Sequence, residues 1–80
     1  MTPREFYFRV ILEYGQEDDV WVTEVPALNH LSTYGETREE ALANTHEAIA
    51  GYLKTAFANG IEVSSDPVEA EVIGLKVAVA

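Results

Sequence analysis

Three patterns point to an α+β fold of order β-β-β-α-β, an antiparallel-rich sheet with one helix packed on one face. Two early segments alternate apolar and polar residues with a period of two and are separated by a short polar turn. A third segment repeats its apolar residues at helical spacing, between a capping residue and a glycine stop. The last segment of the chain is strand-like again. Each element has its own local reason.

Residues 6–14 read Phe-Tyr-Phe-Arg-Val-Ile-Leu-Glu-Tyr. Phe6, Phe8, Val10, Leu12 and Tyr14 share one face, and Tyr7, Arg9, Ile11 and Glu13 share the other. The polar turn Gly15-Gln16-Glu17-Asp18-Asp19 leads into a second strand, Val20 to Val25, rich in β-branched residues. A connection this short makes the pair an antiparallel hairpin. Pro26 lacks an N–H and ends the second strand. Residues 27–30 form a loop, and Leu31 to Tyr34 make a short third strand stopped by Gly35.

Gly35 is expected to let the chain turn out of that strand. Thr37 is a good N-cap and Glu40 stands three residues later, as in a capping box. Glu39 and Glu40 fall in the first turn, where the helix dipole favours negative charge. Ala41, Leu42, Thr45, Ala48, Ile49, Tyr52, Leu53, Ala56 and Phe57 make one broad stripe. Glu40, Ala43, Asn44, Glu47, Gly51 and Lys54 lie on the opposite face. Gly51 costs this helix about 1 kcal/mol relative to alanine. Asn59-Gly60 is a left-handed C-terminal stop. After the loop of residues 61–67, Val68 to Ala80 is apolar on both faces, with Ile73, Leu75, Val77 and Val79 on one of them. It reads as a central strand or as one exchanged with a second subunit.

Length and charge bound the function. Eighty residues make one domain, residues 1–80. A core of this size supplies only about 3–5 kcal/mol, and without cysteine no disulfide or thiolate metal site can add to it. Self-association, as a dimer or tetramer, is therefore expected. Five Lys and Arg against 14 Asp and Glu give a net charge of -9. Direct binding to nucleic acid or to an anionic membrane surface is disfavoured, and a basic protein partner is favoured. The first residues hold no signal-peptide apolar region, and no apolar run is long enough to span a bilayer. A cytoplasmic location is expected.

Several of these elements also form a pattern together. Trp21-Val22-Thr23-Glu24-Val25-Pro26 is followed by Leu28, then by Gly35-Glu36-Thr37 and Glu39-Glu40-Ala41, and along the helix by Asn44 and Glu47-Ala48-Ile49. In this order and spacing they resemble the HicB-like antitoxin family, over residues 5–62. The resemblance implies a partial ribonuclease H-like fold without its catalytic set, assembled as dimers or higher oligomers. It also implies a partner, HicA, a small basic toxin that cleaves mRNA with a histidine. Leu28-Asn29-His30 stands where the family usually has Leu-Pro-Gly. Many members carry an added C-terminal DNA-binding domain; these 80 residues leave no room for one, so repression by this chain alone is not expected.

On this reading the chain neutralises a basic toxin by covering its RNA site. The alternative is a stand-alone oligomeric structural or ligand-binding module. Residues 17–19 (Glu17, Asp18, Asp19) read as a solvated hairpin tip or as a contact for a basic partner; Trp21 reads as core or as a binding anchor, and Tyr34 as a second, partly exposed aromatic. No catalytic, metal or cofactor site is expected. His30 and His46 lack ligand spacing, Glu13 and Glu24 bring no third acid for a two-metal nuclease, and Ser32, Ser64 and Ser65 lack a nucleophile motif.

Overall fold

The structure, a computed structural model, describes residues 5–66. Three antiparallel strands in the order β1-β2-β3 are followed by one long helix. They are β1 (Ile11–Gly15), β2 (Val20–Val25), β3 (Leu31–Gly35) and α1 (Arg38–Ala58). The α+β architecture follows the expectation. The strand expected over Val68–Ala80, and its exchange between subunits, lie outside the described residues.

The hairpin closes at Gly15↔Val20, and β1 runs back to Ile11↔Glu24. The ladder ends there, five residues short of the alternating run that starts at Phe6. The neighbouring strand explains this, because Pro26 begins a 3-10 turn, Pro26–Leu28, and offers no N–H. Residues 5–10 nevertheless keep the alternation of exposed and half-buried positions. Their main chain is held by another segment. The Tyr7 N–H donates to Ser65 Oγ at 2.7 Å, the Asp66 N–H donates to the Tyr7 carbonyl at 2.7 Å, and the Arg9 N–H donates to Asp66 Oδ2 at 2.8 Å.

Cross-strand pairing puts Leu12, Thr23 and Thr33 on one side of the sheet, and Glu13, Val22 and Tyr34 on the other. α1 covers the first side, lying over β2 and β3. Val25 and Leu28 are fully buried there, each contributing about 1.5–3 kcal/mol. The expected helix stripe faces the sheet, with Ala41, Thr45 and Ala56 buried, Phe57 exposed at its end, and the six residues of the opposite face exposed. Phe6 extends the packing to the helix C-terminus, its ring 5.6 Å from that of Phe57.

Three hydroxyls meet at the centre of this interface. Thr23 Oγ1 lies 2.9 Å from Thr33 Oγ1 and 2.5 Å from Thr45 Oγ1, and Thr33 Oγ1 lies 2.7 Å from Thr45 Oγ1. Thr45 donates to the Ala41 carbonyl at 2.7 Å. Thr33 can then donate to Thr45, and Thr23 to either neighbour. Each hydroxyl finds an acceptor, which is what makes a buried polar cluster tolerable.

Both helix ends follow from sequence. The Glu40 N–H donates to Thr37 Oγ1 at 3.0 Å. At the other end Gly60 has φ +70°, its N–H donates to the Phe57 carbonyl, and the Ile61 N–H donates to the Ala56 carbonyl. That pair of bonds is a Schellman cap. Gly35 does not do what its position suggests. Its φ is not left-handed. It is buried under the helix start, where an added Cβ would stand 2.4 Å from the Ala41 nitrogen. The constraint is close approach rather than backbone freedom.

Candidate partner-binding surface

The hairpin register decides where the acidic residues go. Gly15 pairs with Val20, and Trp21 pairs with Gly35. The β1–β2 turn and the start of α1 therefore lie at the same end of the sheet. Glu17, Asp18 and Asp19 sit exposed on the turn, and Glu36, Glu39 and Glu40 sit exposed around the first helical turn. Arg38 is the basic residue among them. Glu36, Glu39 and Glu40 are missing from the sequence-based set of contacts, because the capping box accounts for Glu40 and the helix dipole for Glu39 locally. Their convergence with the turn needs the strand register.

Three aromatic residues stand at this end. Tyr14 and Trp21 are cross-strand partners with ring centroids 5.2 Å apart. The Tyr14 hydroxyl donates to the Asp19 carboxylate, and Asp19 itself has a left-handed φ of 53°. Trp21 is half-buried, so it is partly committed to the fold. Tyr34 is 68% exposed. Its carbonyl accepts from the Asn44 side-chain amide at 2.9 Å, which ties α1 to the end of β3. Trp21 and Tyr34 point to opposite sides of the sheet, because Tyr34 pairs with Val22, the neighbour of Trp21. The five residues singled out from sequence thus share an end of the molecule but do not form one patch.

His30, with φ 60°, follows Asn29, with φ 61°, so a left-handed pair stands where a proline-glycine turn was the family expectation. Asn and His are among the non-glycine residues that tolerate this region best. His30 Nδ1 contacts the Glu24 carboxylate, a pair whose side chains are 73% and 41% exposed. His46 lines an apolar groove with Phe6, Phe8, Ile49 and Leu53. Glu13 and Glu24 share the side of the sheet away from α1 with Ile11, Val22 and Ser32. The Ser32 hydroxyl donates to the Thr23 carbonyl at 2.7 Å, and that of Ser65 to the Tyr7 carbonyl at 2.9 Å. Among the described residues no group of three His, Cys, Asp or Glu is placed to hold a metal ion. No helix among them is long and apolar enough to cross a membrane.

No protein-family model matches the chain. A curated relative does. Over 53 residues the chain is 38% identical to the UPF0150 protein of Thermoplasma acidophilum, an alignment covering 66% of this chain and 77% of the relative. The chain belongs to the UPF0150 family. The UPF0150 name describes no activity.

Proposed function

We propose that this UPF0150 protein is an antitoxin-type binding protein of the HicB-like kind. It holds a small basic toxin of the HicA type and occludes the surface with which that toxin engages RNA. The observation that carries the proposal is the convergence of two acidic segments, residues 17–19 and 36–40, on one end of the sheet beside exposed tyrosines. A protein that binds RNA phosphates presents a basic surface. An acidic end with aromatic residues is the complementary shape of charge, and such complementarity speeds encounter and sets orientation. Inhibition then needs no chemistry from this chain, which acts by covering a site in the cytoplasm.

The HicB-like pattern in Trp21–Pro26 and Gly35–Ala41 supports the same reading. Its residues have structural work in this fold: Gly35 admits the helix, Thr37 caps it and Asn44 latches it to β3. The pattern thus identifies the module, and the acidic end supplies the binding surface. The test is co-expression with the neighbouring reading frames and isolation of the complex. A stoichiometric small basic protein that degrades RNA once released supports the proposal. A second reading, a self-associating module with no toxin partner, is favoured by the face of the sheet away from α1, which no element among the described residues covers. It is the reading to adopt if only this chain is recovered.

A further inference from the structure

Asn59 and Gly60 stop α1, and they are also an Asn-Gly dipeptide, the pair in which a main-chain nitrogen reaches the preceding side-chain amide most freely. Glycine has no Cβ to hinder that approach. Both residues are exposed. The other asparagines, Asn29 and Asn44, precede His30 and Thr45, whose side chains stand in the way. In the folded chain both reacting groups are tied back to the last helical turn. The Gly60 N–H donates to the Phe57 carbonyl at 3.1 Å, and the Asn59 side-chain amide donates to the Thr55 carbonyl at 2.8 Å. Asn59 itself is held at φ -99° and ψ 9°. The cap that holds the pair is at a helix end, where local opening costs least. Ile61, which follows it, is 57% exposed, so packing closes the cap only in part. No basic side chain stands in the last turn to interact with its carbonyls.

We propose that Asn59 is a site of spontaneous covalent modification, converted to aspartate and isoaspartate at a rate set by opening of the helix C-cap. Opening frees the Gly60 nitrogen to attack Asn59 Cγ. The N–Cγ bond forms, the Gly60 proton passes to water, and the Cγ–Nδ2 bond breaks with release of ammonia. Water then opens the cyclic imide at either of its carbonyls. Opening at Cγ leaves aspartate. Opening at the main-chain carbonyl leaves isoaspartate, in which the backbone runs through the side chain and gains a methylene. Water is the co-reactant, and nothing is oxidised or reduced. Either product loses the amide donor to the Thr55 carbonyl and puts a negative charge at the negative end of the helix dipole. Isoaspartate also breaks the spacing on which the Schellman cap depends. The effect reaches the sheet, because residues 61–66 run from this cap to the Ser65 and Asp66 groups that hold the main chain of Tyr7 and Arg9. Conversion of Asn59 thus loosens the segment that leads into β1. None of this chemistry requires a toxin partner.

The experiment incubates the folded chain at mildly alkaline pH and follows each asparagine by peptide mapping with mass spectrometry, with far-UV circular dichroism to confirm folding. Asn59 should convert before Asn29 and Asn44. Its conversion should be about tenfold faster in the urea-unfolded chain, where no cap holds the pair. Lys54→Gly, an exposed change that weakens the end of α1, should speed the native reaction by roughly a few-fold. Asn59→Gln keeps an amide but must close a larger ring, so position 59 should stay unmodified. Once the products are separated by anion exchange, the Tyr7 and Arg9 amides of the isoaspartate form should exchange hydrogen roughly several-fold faster than those of the intact chain. Native Asn59 that stays intact while the unfolded chain converts overturns the proposal. So does a native rate equal to the unfolded one, a folded Lys54→Gly variant that reacts no faster, or conversion of Asn29 or Asn44 ahead of Asn59. An isoaspartate form that still protects Tyr7 and Arg9 overturns the link from the cap to the sheet.

Discussion

Gly35 lies so close beneath the first turn of α1 that a methyl group on its Cα would stand 2.4 Å from the Ala41 nitrogen and 2.9 Å from the Ala41 Cα. Those neighbours are main chain in a capped helix, so they cannot swing aside as a side-chain tip would. The contact fixes where the helix starts relative to the end of β3. It therefore also places Glu36, Glu39 and Glu40 beside the β1–β2 turn. Gly35→Ala is expected to destabilise the fold by about 1–3 kcal/mol through overpacking. Urea unfolding followed by circular dichroism would measure it, and a midpoint equal to the wild type would show that the helix adjusts freely.

The threonine triangle makes a second prediction. Thr45→Val keeps the shape of the side chain and removes its hydroxyl. The Ala41 carbonyl loses a close donor, and Thr23 and Thr33 lose an acceptor. A cost of about 1–3 kcal/mol is expected for buried groups left unpaired. Because Thr23 and Thr45 share this cluster, Thr23→Val and Thr45→Val together should cost less than the sum of the single changes. A double-mutant cycle from urea unfolding reads the difference directly, and strict additivity would mean that the three hydroxyls do not act as a unit.

Gly51 offers the opposite sign. It is exposed on the outer face of α1, and a Cβ added there meets nothing within 4 Å. Gly51→Ala should stabilise the protein by about 0.5–1 kcal/mol, through higher helix propensity and a less flexible unfolded chain. For a domain of this size about 1 kcal/mol raises Tm by roughly 4–8 °C. A scanning calorimetry trace with no rise would place Gly51 in a contact that the isolated chain does not show.

These three residues also show what could be read from the chain. The helix was legible because its signals are local: Thr37 to start it, a repeating stripe from Ala41 to Phe57, and Gly60 to stop it. The face of β2 was legible by alternation, which puts Thr23 and Val25 inside. Gly35 was identified as necessary but for the wrong reason, because close approach of a helix is a tertiary fact. The left-handed pair Asn29-His30 was hidden, since His carries no strong turn signal. Ser65 and Asp66 hold the main chain of Tyr7 and Arg9 across more than fifty intervening residues, a pairing that no local pattern encodes. The same limit applies to the site. Residues 17–19 were visible as a charge run, whereas their meeting with residues 36–40 depends on the pairs Gly15↔Val20 and Trp21↔Gly35. Trp21 and Tyr34 are both contact candidates by residue type, and only the register shows that they face opposite sides of the sheet.

The measurement that bears most directly on the proposed function is binding of the co-purified basic protein to the wild-type chain and to one neutralised variant. That variant is Glu17→Gln/Asp18→Asn/Asp19→Asn/Glu36→Gln/Glu39→Gln, which keeps side-chain size, leaves Glu40 in place and puts at position 19 a residue that tolerates the left-handed φ. With unchanged circular dichroism, affinity measured by calorimetry should fall at least about tenfold, and the wild-type affinity should itself weaken as salt is raised. A variant that holds the basic protein as tightly as the wild type, or a co-purification that recovers this chain alone, would contradict the acidic end as an antitoxin surface.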